Sequence, residues 1–205
     1  IVYSSASLAR IADLADRHEV LVLADEIHAA LTLPGAVHKP FATVSAAAAR
    51  RSIVVTSAAK AWNLAGLKAA MMIACSDEAR AVLARLPHDT SYHAGHFGIL
   101  ASRAAFLEGD PWLASTIAIV DRNRSLLGEM LRTLTPRVRW VPPEAGYLAW
   151  LDCSSLGLGS DPARAFLARG KVALSSGPTF GAQGEGFVRL NMATTGALLE
   201  EVVAR

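Results

Sequence analysis

Three short, nearly uninterrupted apolar runs constrain this chain most: VLVLA at 20–24, IVVT at 53–56 and AAMMIA at 69–74. A strand with one face in water alternates apolar and polar side chains, whereas these runs are apolar on both faces. Such strands need cover on both sides, as in a parallel sheet with helices packed on it. The intervening sequence supplies helices. Leu8, Ile11, Ala12 and Ala15 recur at helical spacing behind Ser4 and Ser5, either of which can cap the start. Ser76 caps an expected helix over 77–86, and another apolar period runs over 97–108. The first half of the chain is expected to be α/β.

The pattern then changes. Asp110 followed by Pro111 is a strong helix start, because proline suits the first helical position. Leu113, Ile117, Val120, Leu127, Leu131 and Leu134 share one face, and Pro136 ends the run. Beyond it VRWV, YLAWLDC, KVAL and FVRLNMA read as short strands, with helices expected in DPARAFLARG and TTGALLEEVVAR. The expected organisation is a larger domain portion over 1–110, a long interdomain helix over 111–136 and a smaller α+β domain over 137–205.

Composition narrows the class. Hydrophobic residues make up 52%, charged residues 19%, and the net charge is +2 with no run of like charges. A core is therefore expected, and a grip on nucleic acid through a basic stripe is not. No stretch reaches the roughly 18 apolar residues of a membrane span. Cys75 and Cys153 make no framework and read as free thiols in a reducing compartment, expected to be the cytoplasm. The chain opens on Ile1, directly before a helix, and reads as part of something longer.

Three polar residues interrupt this apolar background at telling places. Asp25 follows the first run, Lys60 lies just beyond the second, and Arg189 stands inside FVRLN. Ligands collect outside the carboxyl ends of strands in open α/β sheets. An aspartate, a lysine and an arginine there suit one cofactor, pyridoxal phosphate. The lysine bonds its aldehyde, the aspartate keeps its ring nitrogen protonated, and the arginine grips a substrate carboxylate. Plainer roles exist for each. Asp25 can be a turn cap, Lys60 a solvated lysine, and Arg189, alternating with Val188 and Leu190, a residue of a wet face. His93 and His96 share a spacing that suits a metal, but no further ligand set accompanies them, so no metal site is expected.

At ADEIHAAL, SAAKAWNLAGLK, EAGYLAWLD and GFVRLNMA the chain resembles the fold type I pyridoxal-phosphate enzymes of the class I/II aminotransferase family. It is most similar there to the MalY/PatB, or cystathionine β-lyase, branch. The resemblance implies a sheet portion of that family's large domain followed by its smaller α+β domain. It implies Lys60 as the cofactor-bonded lysine, Asp25 as partner of the ring nitrogen and His28 beside the ring's phenolic oxygen. Ser57 and Lys68 fall where the family binds the cofactor phosphate, and Arg189 where it receives the substrate α-carboxylate.

There are departures from the pattern. SAAK replaces Ser-Pro-Ser-Lys and lacks one hydroxyl, Lys68 replaces an arginine, and EAGY replaces Glu-Gly-Thr-Tyr. Family members are about twice this length, and the half not represented carries a phosphate loop, a ring-stacking aromatic and an asparagine. The implied activity is cleavage of cystathionine or a related cysteine S-conjugate by a homodimer. An aminotransferase is the alternative, and a non-catalytic interaction module is a third.

Overall fold

The computed structural model describes all residues, 1–205. They form two compact units, Ile1–Thr116 and Ile117–Arg205.

The first unit opens with α1 (Ser5–Arg17), whose Ser4 side chain accepts a hydrogen bond from the Ser7 backbone N–H, a cap that satisfies one free amide of the first turn. Leu8, Ala12 and Ala15 are its buried face. Strand β1 (Val22–Asp25) follows, then the short α2 (Ala46–Arg50) and β2 (Ser52–Thr56). β1 and β2 pair in parallel, Val22 opposite Ser52 and Asp25 opposite Val55. Strand β3 (Met71–Ala74) then pairs antiparallel to β2, so the sheet order is β1-β2-β3. Leu8 and Ala12 of α1, Phe41 and Ala48 form the core against this sheet. Asp16, at the end of α1, holds Arg50 and Arg51, and Arg51 reaches Glu78 in α3 (Asp77–Leu83). Helix α4 (His96–Glu108) completes the unit.

The third apolar run corrects the expectation of a wholly parallel sheet covered on both faces. β3 runs antiparallel, and Met71, Met72 and Ile73 are 43%, 50% and 43% exposed. Leu23 of β1 is also exposed. Apolar character on both faces records that a strand tolerates cover; it does not reveal which residues supply it.

Helix α5 (Asp110–Leu134) begins one residue after α4 ends, with Gly109 between them, and carries the chain into the second unit. Its buried residues are Val120, Asn123, Leu127, Met130 and Leu131, whereas Leu134 is exposed. Strands β4 (Arg139–Trp140) and β5 (Leu148–Asp152), helix α6 (Pro162–Ala165), strands β6 (Ser175–Ser176) and β7 (Phe187–Asn191), and helix α7 (Gly196–Ala204) follow. The sheet is antiparallel in the order β4-β5-β7-β6. Its core face gathers Ala149, Leu151, Val188 and Leu190 against Leu127, Leu131 and Leu199. The KVAL segment is not a strand. Helix α6 runs on as a wider π-type turn over Phe166–Gly170, Lys171 turns left-handed at φ 56°, and pairing with β7 begins only at Ser175.

Candidate active site

The end of β1 and the exit of β2 lie side by side, because Asp25 is in register with Val55 and the Glu26 N–H donates to the Val55 carbonyl at 2.8 Å. Asp25 then makes a turn, its Oδ1 accepting from the Ile27 N–H at 3.1 Å. That is the plain role foreseen for an aspartate after a strand, and it occupies one carboxylate oxygen. His28 starts the next turn of 3₁₀ helix. Its pKa is lowered, first by burial and then by the Lys60 ammonium, with Asp25 pulling the other way. His28 is thus within electrostatic range of both, and the structure brings together Asp25, His28 and Lys60.

Lys60 opens into a recess of about 830 Å3, whose walls include Ser57, Lys68, Met72, His88 and His93. No carboxylate pairs with Lys60 or Lys68, while Arg50, Arg51, Arg80, Arg139 and Arg205 all have acidic partners. Two ammonium groups facing one cavity without a protein anion suit an anionic ligand. Ser57 is buried, and its hydroxyl is already engaged. It donates to the Ala69 carbonyl at 2.5 Å and accepts from the Ala59 N–H at 2.9 Å. To donate to a phosphate it would exchange the first of these bonds.

Several positioning features were not evident in the sequence. Lys68 adopts the left-handed conformation, φ 53°, which is uncommon for a residue with a side chain. The start of α4 packs on that turn. The Gly95 N–H donates to the Lys68 carbonyl at 3.2 Å, and a Cβ on Gly98 would lie 2.3 Å from the Leu67 carbonyl oxygen. Trp62, two residues past Lys60, donates its Nε1–H to the Gly109 carbonyl at 3.0 Å and meets Phe106 edge to face. It pins the lysine turn to the α4–α5 junction. The spacing of these glycines carries no recognisable signal, because the contact is between segments far apart in sequence.

In the second unit, Arg189 lies on the sheet face opposite the core, since Val188 and Leu190 are buried on either side of it. Its cross-strand neighbours are Trp150 and Ser175.

His93 lines the recess, and no three His, Cys, Asp or Glu residues cluster to hold a metal. Both thiols are free, Cys75 exposed and Cys153 buried, with burial raising the Cys153 pKa to about 11. No helix is long and apolar enough to cross a membrane.

A lysine recess at the carboxyl ends of an α/β sheet, followed by an α+β unit, defines a class of fold that comparison with known proteins makes specific. The model of the family "Aminotransferase class I and II" matches residues 1–205, and the chain belongs to that family. It is 42% identical to a Mycobacterium tuberculosis (strain H37Rv) protein provisionally named cystathionine beta-lyase, over 100% of this chain and 54% of that protein. It is 35% identical to cystathionine beta-lyase PatB of Bacillus subtilis (strain 168), over 99% of this chain and 53% of PatB. Among solved structures, a provisionally described PLP-dependent beta-cystathionase of Corynebacterium diphtheriae superposes with a TM-score of 0.93 at 35% identity. The match covers 100% of this chain and 54% of that one. The PLP-bound C-S lyase of Staphylococcus hominis gives 0.87 at 25% identity, over 98% of this chain and 53% of that one. The fold is that of the fold type I enzymes, and the chain spans about half the length of the curated relatives it matches.

Proposed function

We propose that this chain supplies the lysine-bearing part of a pyridoxal-phosphate-dependent carbon–sulfur β-lyase, which cleaves cystathionine or a related cysteine S-conjugate to a thiol, pyruvate and ammonia. The observation that carries this reading is Lys60, without an acidic partner, in a recess beside Asp25 and His28. The residues present fit the cofactor: a carboxylate with one oxygen free of protein donors, an amine, and a second ammonium facing the same cavity. When bound, pyridoxal phosphate supplies an electron sink for negative charge at the substrate α-carbon.

In this reading residues 1–110 belong to the cofactor-binding domain, 111–136 to the connecting helix and 137–205 to the small domain. Lys60 would be the residue that bonds the cofactor, and its amine, when free, would be placed to take the substrate α-proton as general base. Asp25 would serve the ring nitrogen, where its negative charge would favour the protonated, electron-withdrawing form. His28, held towards its neutral state, would hydrogen-bond the phenolic oxygen without adding a charge. Ser57 and Lys68 would hold the phosphate, Ser57 by exchanging its bond to Ala69 and Lys68 as a point charge where an arginine would offer a fork. Arg189 receives the α-carboxylate. The protein acts in the cytoplasm as a homodimer. The two free thiols support the first statement, and the exposed apolar side chains Phe97, Leu100 and Leu107 of α4 support the second.

The test is a product assay on the full-length protein with cystathionine. Pyruvate and thiol formed without a keto-acid acceptor are expected. Turnover that depends on an acceptor would make the protein an aminotransferase, and a protein that takes up no cofactor would be neither.

A further inference from the structure

Arg189 is held by its own unit before any substrate arrives. Its guanidinium lies over the Phe180 ring, 4.7 Å from the centroid, and its Nη2 donates to Ser175 Oγ at 3.4 Å. Phe180 is fixed in turn, edge to face with Trp150 at 5.4 Å, and Trp150 stacks on Phe187 at 5.5 Å and 13°. No acidic side chain pairs with Arg189, unlike Arg139 on edge strand β4 of the same sheet, which pairs with Asp152. Phe180 is nevertheless 52% exposed and lies outside the core cluster. An exposed aromatic ring that contributes little to the core but covers one face of a partly buried, unneutralised arginine calls for a role of its own.

A guanidinium binds a carboxylate through two N–H groups in its plane. A ring stacked on its face restricts the plane yet leaves those in-plane donors available. The long side chain then loses less freedom when the ligand arrives, so the preorganised fork binds more tightly than a mobile one.

We propose that Phe180, assisted by Ser175, is the positioning residue for substrate recognition. It holds the Arg189 fork in the orientation that accepts an α-carboxylate, and so selects substrates that carry one. The proposal rests on the reading of Arg189 given above. It assigns Phe180 no contact with the reacting atoms.

The experiment uses the full-length holoenzyme and compares Phe180→Leu, Phe180→Tyr and Ser175→Ala with the parent. Each is assayed with a cysteine S-conjugate and with its α-carboxamide, which lacks the anionic group. Phe180→Leu should raise KM for the carboxylate substrate roughly three- to tenfold, the range expected for losing a partly desolvated cation–π contact. Its kcat should change less than about twofold, because the interaction serves ground and transition states alike. The carboxamide should show no added penalty, Ser175→Ala should show a smaller version of the same selective effect, and Phe180→Tyr should restore the parent KM. An equal loss with both substrates, an unchanged KM, or failure of the tyrosine variant would overturn the proposal.

A second measurement does not depend on turnover. The Arg189 Nε–H resonance in 15N-arginine-labelled protein, assigned with Arg189→Lys, should be shifted by the Phe180 ring and return towards the ordinary position in Phe180→Leu. If that resonance is unshifted in the parent, the proposal is wrong whatever the enzyme does. A shifted resonance in a protein that neither binds nor converts amino acids would instead overturn the functional reading, and the positioning role with it.

Discussion

A lysine near the end of a strand ordinarily runs along the surface with its ammonium in water. Lys60 departs from that habit because the turn around it is fixed at both ends. Ser57 stitches its start to Ala69, and Trp62 ties its far side to Gly109. Asp25 ends β1 beside the exit of β2, from which the Lys60 turn leaves. Replacing Asp25 with alanine should leave the fold intact, since its one hydrogen bond is a local turn bond, but should lower kcat by at least about tenfold, equivalent to roughly 1.4 kcal/mol of lost stabilisation. An unchanged rate by steady-state assay would mean that another group serves the ring nitrogen.

His28 gives a pH prediction at the same scale. Its folded-state pKa lies below the ordinary 6.5, first because of burial and then because of Lys60. In acid the unfolded chain takes up a proton that the folded chain resists, so stability falls as pH drops below about 6.5 and the penalty vanishes above it. Urea denaturation of the cofactor-free protein at several pH values should show a shallower acid dependence for His28→Gln than for the parent. Parallel curves would mean that His28 does not carry the effect.

At the scale of elements, the starts of three helices were legible because capping is local chemistry. Ser4, Ser76 and the Asp110–Pro111 pair each stand where a helix begins. Strand β6 was not legible. It consists of two serines that pair only because β7 offers them a backbone partner, while the apolar residues just before it follow a π-type turn. Asn123 was equally hidden. It falls on the buried face of α5 and donates to the carbonyls of Met192 and Thr194 at 2.8 and 2.7 Å, fixing the chain that leaves β7. Asn123→Ala should destabilise the protein by about 1–3 kcal/mol, the cost of leaving buried carbonyls unpaired. The midpoint of chemical denaturation measures this, and an unchanged midpoint would show that water replaces the side chain at no cost.

For the molecule as a whole, the order of chemistry-bearing residues was readable in the sequence, and much of their support was not. Asp25, Lys60 and Arg189 stand out because each interrupts an apolar pattern. Phe180, Trp62 and Gly98 do not, since their roles depend on segments that only folding brings near. The same limit applies to surface. Leu23, Met71, Met72 and Ile73 read as core residues, yet they are exposed in this chain. The functional reading itself turns on one covalent bond. Borohydride reduction of the full-length protein, followed by proteolysis and mass spectrometry, should find the pyridoxyl phosphate adduct on the peptide carrying Lys60, and none after Lys60→Ala. An adduct on another lysine, or a protein that retains no cofactor after reduction, would contradict the assignment.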